Sequence, residues 1–248
     1  MDTRLDGTVA LVTGASSGIG EAIAMRLAAA GSTVALVARR AAELDRVRAG
    51  IERAGGTARA IPADLLLDAD IERVLARVED ELGALDILVN NAGEISYSLV
   101  HEMDFARWDD VLRLNLRTPA YLCARVLPSM RERRRGYIVN IASEAGCFVY
   151  AGLGAYAVSK HGLRALTELV QEENQDLGIK AWAVCPGITA TTEADLARDP
   201  GVTALRCDDV ADVVLAALTE APHLKTGPTL LLRTMRPAYS ALDLNPTP

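Results

Sequence analysis

Aromatic side chains are scarce in this 248-residue chain: two Phe, two Trp and six Tyr make up 4% of it. Ala, Val and Leu dominate instead, which suits close packing of helices on a sheet rather than an aromatic-rich binding surface. Positive charge is also short. With 26 Lys and Arg against 33 Asp and Glu, the formal charge is −7. That balance lacks the basic footprint that nucleic acid or an anionic membrane demands of a partner. Cysteine is sparse and scattered: Cys123, Cys147, Cys185 and Cys207 form no CxxC pair and have no neighbouring His. A zinc site or redox motif would show such spacing, so no metal is expected and the thiols read as buried or inert in a reducing compartment. No apolar run approaches the roughly 20 residues of a membrane span, and the opening MDTRLDG has no apolar signal core. The expectation is a soluble, cytoplasmic protein.

Half of the residues are apolar, enough for a substantial core in one large domain. Short apolar runs at 8–12, 33–38, 57–61, 86–90, 136–142, 179–184 and 228–232 alternate with helical patterns near 19–30, 41–54, 69–82, 104–130, 155–177 and 208–220. Runs apolar on both faces and separated by helices indicate a parallel sheet covered on each side. Right-handed crossovers make this an α/β, doubly wound Rossmann-type domain. The expected architecture is therefore a single domain over 1–248, with a seven-stranded parallel sheet and helices on both faces. Residues 189–207 form the one long stretch without an assignment, placed where a substrate lid would lie, and 238–248 read as a loose tail. The basic cluster RERRR at 131–135 reads as a solvated helix end beside Gly136.

The first apolar run leads into TGASSGIG, residues 13–20, followed by Ala22, Ile23, Ala24 and Leu27 at helical spacing. Strand, glycine turn and helix in that order aim free backbone N–H groups and the positive end of a helix dipole at one spot, where a phosphate is favoured. The spacing is GxxxGxG rather than GxGxxG, so an ordinary structural turn fits the motif alone as well as a nucleotide site does. Ligands in such sheets lie beyond the carboxyl ends of the strands. Those ends carry TGASSGIG, Ala38-Arg39-Arg40, Ala63-Asp64, Asn90-Asn91-Ala92-Gly93, Ala142-Ser143-Glu144 and Cys185-Pro186-Gly187.

TGASSGIG, the NNAG segment, Asn115, Ser143, Tyr156-Ala157-Val158-Ser159-Lys160 and Pro186-Gly187 occur in the order and at the separations of the short-chain dehydrogenase/reductase family, which the chain resembles over residues 5–235. The resemblance implies a nicotinamide cofactor and hydride transfer between an alcohol and a carbonyl. It places Gly14, Ser16, Ser17, Gly18, Ile19 and Gly20 on the cofactor. It adds Asp64 and Leu65 at the adenine, Asn91, Ala92 and Gly93 toward the adenosine half, and Pro186, Gly187, Thr189 and Thr191 at the carboxamide and phosphates.

The residue types support the chemistry independently. Tyr156 and Lys160, four apart on one helix face, let an ammonium favour the phenolate of a general acid/base. Ser143 at a strand end can hydrogen-bond the reacting oxygen, or merely brace a loop. Asn115, inside a long helix, resembles the family's fourth catalytic residue, which holds a water relay to the Lys; an ordinary helix residue is the alternative. The second strand ends in Arg39 and Arg40 without an acid, which favours a ribose 2′-phosphate and hence NADP(H), with Arg39 the principal contact.

Glu94 and Glu144 either recognise a cationic or hydroxyl-rich substrate or pair with a nearby Arg, and Phe148, Tyr150 and Leu153 line either the substrate pocket or core. The region after the last strand, Leu231-Leu232-Arg233-Thr234, departs from the family's common Val-Asp-Gly-Gly. The favoured function is an NADP(H)-dependent oxidoreductase acting on a small-molecule carbonyl or secondary alcohol, as a homotetramer or homodimer. A 3-oxoacyl thioester reductase, with 131–135 meeting an acidic carrier, and a non-catalytic nucleotide sensor are the rivals.

Overall fold

A computed structural model describes residues 4–191, 204–220 and 226–234. In chain order the elements are β1 (Val9–Thr13), α1 (Gly18–Ala29), β2 (Thr33–Ala38), α2 (Ala41–Arg53), β3 (Thr57–Pro62), α3 (Asp68–Leu82) and β4 (Ile87–Asn90). Then come α4 (Phe105–Leu112), α5 (Thr118–Arg133), β5 (Gly136–Ile141), α6 (Gly154–Asn174) and β6 (Ile179–Pro186). The short β7 (Thr189–Ala190) and β8 (Leu205–Arg206), then α7 (Cys207–Leu218) and β9 (Thr229–Leu232), complete the described part.

Seven strands form one parallel sheet in the order β3-β2-β1-β4-β5-β6-β9. The order reverses between β1 and β4, and that switch point opens a crevice at the strand ends. β1 and β4 are buried throughout, as strands covered on both faces must be. Alternate side chains divide the core. Ala10 and Val12 face a layer with Ile23 and Leu27 of α1, Leu44 and Val47 of α2 and Val210 and Val214 of α7. Val9 and Leu11 face the opposite layer, with Ile71 and Val74 of α3, Leu122 and Val126 of α5 and Val170 of α6.

The expected strands lie within two residues of the observed ones, and the long helix expected over 104–130 runs from Phe105 to Arg133 with one irregularity. It divides into α4 and α5 around a five-residue π-helical turn, Arg113–Arg117. The expected tail, 238–248, lies outside the described residues, as does most of the 189–207 stretch. The ends of that stretch are tied by the parallel ladder of β7 on β8, in which Thr189 pairs with Leu205 and Ala190 with Arg206.

The arginine cluster ends α5 with Arg131, Arg134 and Arg135 exposed, as expected, but it also carries ion pairs and hydrogen bonds. At the amino ends of the central strands Asp86, 3% exposed, accepts the Val9 N–H at 3.1 Å and pairs with Arg133 at 2.8 Å and Arg135 at 2.9 Å. Arg131 donates to the Asn174 side chain and Arg134 to the Asp176 carbonyl. Asp86 thereby joins the starts of β1, β4 and β5. Replacing it by Ala strands a backbone donor and separates two guanidinium groups from their counter-charge. Asp86→Ala should cost about 2–4 kcal/mol in urea unfolding, whereas Arg135→Ala, whose side chain is half exposed, should cost under about 1 kcal/mol.

Candidate active site

The site is assembled from strand exits. Where β1 ends, Gly14 has φ +67° and Gly18 φ +59°, left-handed conformations that glycine adopts without strain. Gly20 has a steric reason instead: a Cβ there would collide with the Gly14 carbonyl and the Asn91 amide. The loop after β4 is bolted to this turn. The Thr13 hydroxyl accepts the N–H groups of Asn91 and Ala92, each at 2.9 Å. Asn91 Nδ2 donates to the Thr13 carbonyl at 2.9 Å and to the Gly14 carbonyl at 3.3 Å. The Asn91 side chain is thus spent on holding two loops at contact distance.

Between these loops lies a cleft of about 620 Å³. Ser16, Ser17, Gly18 and Ile19 form its floor, with Asn91, Ala92 and Gly93 opposite. Arg39, Arg40, Asp64 and Leu65 close one end, and Thr191 rests beside Gly18. The two arginines differ. Arg40 donates to the hydroxyls of Ser16 at 3.0 Å and Ser17 at 2.9 Å, packing over the turn. Arg39 is exposed on the cleft and has no hydrogen-bond or ion-pair partner among the described residues. Asp64 accepts the Leu66 N–H at 3.0 Å, a turn-forming bond that leaves its second oxygen uncommitted to that turn.

Gly93 is the junction with the second half of the site. Its missing Cβ would stand 3.0 Å from Asn115 Oδ1 and 3.4 Å from Lys160 Nζ. Asn115 belongs to the π-helical turn, not to a regular helix interior, and is fully buried. Such insertions re-aim a side chain and are frequent at functional sites. Its amide accepts the Glu94 N–H at 2.9 Å and donates to the Glu94 carbonyl at 2.8 Å and to Ser159 at 3.1 Å. The loop after β4 is thereby fixed to α6.

Tyr156 and Lys160 share one face of α6, with Nζ 5.7 Å from the ring centroid and bonded to the Ile141 carbonyl at 2.8 Å. Ser143, just beyond β5, takes the Ala145 N–H at 3.1 Å and faces the Tyr156 phenol. Burial pushes that phenol above its ordinary range, and the Ser143 hydroxyl opposes the shift. Burial likewise pushes Lys160 down to about 8. The ammonium is within reach of the phenol as the sequence suggests, but in the free protein desolvation sets the direction for both groups.

Glu94 and Glu144 each have an arginine partner. Glu94 pairs with Arg107 at 2.8 Å at the cleft, and the buried Glu144 pairs with Arg233 at 3.1 Å. Arg233 also reaches the Tyr150 hydroxyl at 3.2 Å and stacks over Phe148, 4.4 Å from its ring centroid. Leu153 sits at the start of α6, where Ser98 bridges to it. After β6 the Gly187 N–H bonds the Leu232 carbonyl at 2.9 Å. Thr189 turns back onto the Gly187 carbonyl and, like Pro186, is not part of the cleft wall. Sequence reasoning did not single out Arg107 or Arg233 as site residues, and only the unusual segment after β9 signalled the second.

The buried lysine makes a stability prediction. Its pKa falls from the unfolded 10.5 to about 8 in the fold, so the unfolded chain binds more protons between those values and stability rises with pH across that window. Lys160→Met should remove that rise. It should stabilise the protein at pH 7 by about 3 kcal/mol relative to wild type, the difference vanishing above about pH 10.5 in urea titrations of the two chains.

A family model for short chain dehydrogenases matches residues 8–200. An uncharacterized oxidoreductase of Staphylococcus epidermidis is 30% identical over 219 residues, covering 88% of this chain and 94% of the relative. The glycine betaine reductase ATRR of Emericella nidulans is 32% identical over 237 residues, covering 92% of this chain but 19% of that longer protein. Among solved structures, a metagenomic short-chain oxidoreductase in complex with NADP superposes with a TM-score of 0.81 at 36% identity, covering 92% of this chain and 98% of the other. Taken with the sheet order and the glycine turn, these matches establish the chain as a member of the short-chain dehydrogenase family of oxidoreductases.

Proposed function

We propose that the protein is an NADP(H)-dependent oxidoreductase that interconverts a small-molecule carbonyl and its secondary alcohol, with Tyr156 as general acid/base. The observation that carries this reading is the convergence of Ser143, Tyr156 and Lys160 where the glycine-floored cleft meets Gly93 and Asn115. The cleft fits a dinucleotide: its floor is a cradle that a Cβ at Gly20 would fill, at the start of a helix whose dipole favours phosphate. Arg39, free on the cleft wall, suits a 2′-phosphate, and a 36% identical structure was crystallised with NADP.

When bound, the reduced nicotinamide supplies the hydride for the carbonyl carbon. Tyr156 gives its phenolic proton to the carbonyl oxygen, and Ser143 donates a hydrogen bond to the same atom as charge develops. Lys160, beneath the ring, stabilises the phenolate left behind. Asn115 spends its side chain on Glu94 and Ser159, so a water relay through it would use its backbone carbonyl. In the oxidative direction the proton movements reverse. The chain acts on this reading as one domain, with 189–207 covering the substrate. Val158 and Leu169, exposed along α6, suit burial in a homodimer or homotetramer.

Two alternatives lose support. Arg131, Arg133, Arg134 and Arg135 each bond an acceptor of the protein's own, which weakens the acyl-carrier reading. A cationic substrate of the kind one relative's name suggests would meet Glu94 and Glu144 already paired with arginines.

NADPH should exceed NADH in kcat/KM across a panel of ketones and aldehydes. Arg39→Ala should cut that preference about tenfold or more, the worth of one charge-assisted pair; an NADH preference in the wild type would refute the assignment. Tyr156→Phe should lower kcat by about 10²–10⁴-fold while leaving NADPH binding, read by fluorescence titration, unchanged.

A further inference from the structure

The loop that carries Ser143 is tied to the end of β9 by a buried charge. Glu144 follows Ser143 directly and is 6% exposed. Its backbone opens a tight turn that cannot move freely. Ser143 caps the Ala145 N–H, and a Cβ at Gly146 would stand 2.6 Å from the Lys160 carbonyl, so the turn lies flat on α6. A carboxylate held there needs a counter-charge, because a lone ion in such a place either takes up a proton or draws the backbone toward water. Arg233 supplies it from 89 residues away, Nε to Oε2 at 3.1 Å. The guanidinium is itself aimed by Phe148 beneath it and by the Tyr150 hydroxyl. Leu232, one residue earlier, accepts the Gly187 N–H, and Glu144 Oε1 lies against Gly187. One ion pair therefore connects the exits of β5, β6 and β9.

We propose that Arg233 is a positioning residue for the reaction: by pairing with Glu144 it holds the Ser143 turn in register with Tyr156 and Gly187, and it keeps a bare negative charge away from the Tyr156 phenol. This rests on the reading of Tyr156 as the general acid/base. The titratable groups facing Tyr156 are Lys160 from α6, Glu144 from the turn after β5, Cys185 from β6 and Tyr97 from the loop after β4. Glu144 in turn faces Arg233 and Tyr150. Lys160 titrates near 8 and burial pushes Cys185 up to about 12. At the alkaline pH where the phenol loses its proton, the carboxylate of Glu144 is thus the fixed charge facing it, and Arg233 is the partner of that carboxylate. Glu144 disfavours the phenolate, and Arg233 acts on it only through Glu144, whose charge it pairs at 3.1 Å.

The test compares wild type, Arg233→Met, Arg233→Lys, Glu144→Gln and the Arg233→Met/Glu144→Gln double variant in the full chain. Phenolate absorbance is followed against pH, with the signal of Tyr156 isolated by subtracting a Tyr156→Phe chain in each background. Arg233→Met should raise the Tyr156 midpoint by about half a pH unit or more. Arg233→Lys should recover much of that shift, Glu144→Gln should move the midpoint down, and the double variant should return close to wild type because no bare charge remains. In turnover, Arg233→Met should lower kcat/KM about tenfold and carry the same alkaline displacement into its pH profile, with NADPH affinity unchanged. An unmoved midpoint in Arg233→Met, or a double variant as displaced as the single one, overturns the proposal. Should Arg233→Met fail to fold, an unmoved midpoint in Glu144→Gln overturns it equally. A wild type that turns over no carbonyl would refute the assigned activity, whereas the titration still decides the role of Arg233.

Discussion

The contact between the exits of β1 and β4 is the constraint on which the rest of the site depends. No Cβ fits at Gly20 because the Gly14 carbonyl and the Asn91 amide occupy its place, and Thr13 and Asn91 exchange hydrogen bonds across the same gap. This closeness fixes where the crevice at the switch point begins. It also sets the path of the NNAG loop, which at Gly93 touches Asn115 and Lys160. A shift of the glycine turn would therefore be felt at the lysine, through backbone rather than through a flexible side chain. The fold supplies a row of strand ends, and this contact holds two central ones at a single spacing.

The sheet was legible in the sequence because strands buried on both faces leave continuous apolar runs, and those of β2 and β4 stand out against polar flanks. The glycine turn and the Tyr-x-x-x-Lys pair were legible because their geometry is local. What the sequence did not carry is equally physical. The π-helical turn at Arg113–Arg117 has no Gly or Pro to announce it, since it differs from an α-helix only in which carbonyl each N–H reaches. The roles of Arg107, Arg133 and Arg233 depend on partners 13, 47 and 89 residues distant. Hydrophobic periodicity holds no record of such pairs. The cluster at 131–135, read in isolation as a helix end, also supplies the two arginines that neutralise Asp86.

Burial and charge act against each other throughout the site. Lys160 is almost wholly enclosed, which depresses its pKa to about 8, yet it must carry a proton to favour the phenolate. Tyr156 is raised by the same enclosure and relieved by Ser143. Lys160, brought nearer its transition point, exchanges a proton at lower cost than a group locked in one state, and such perturbation is characteristic of working sites. The ion pairs of Glu94 and Glu144 keep additional charge from disturbing that balance.

The ladder between β7 and β8 is only two residues long, but it returns the chain to almost the point it left. Chain inserted or deleted between Ala190 and Leu205 would leave the ladder at its base, and with it β6 and α7, in place. Each doubling of such a connection costs only about 0.6 kcal/mol in closure entropy. The architecture therefore separates two evolutionary problems: the machinery is fixed by the sheet, and the connection between β7 and β8 can change in length without moving it.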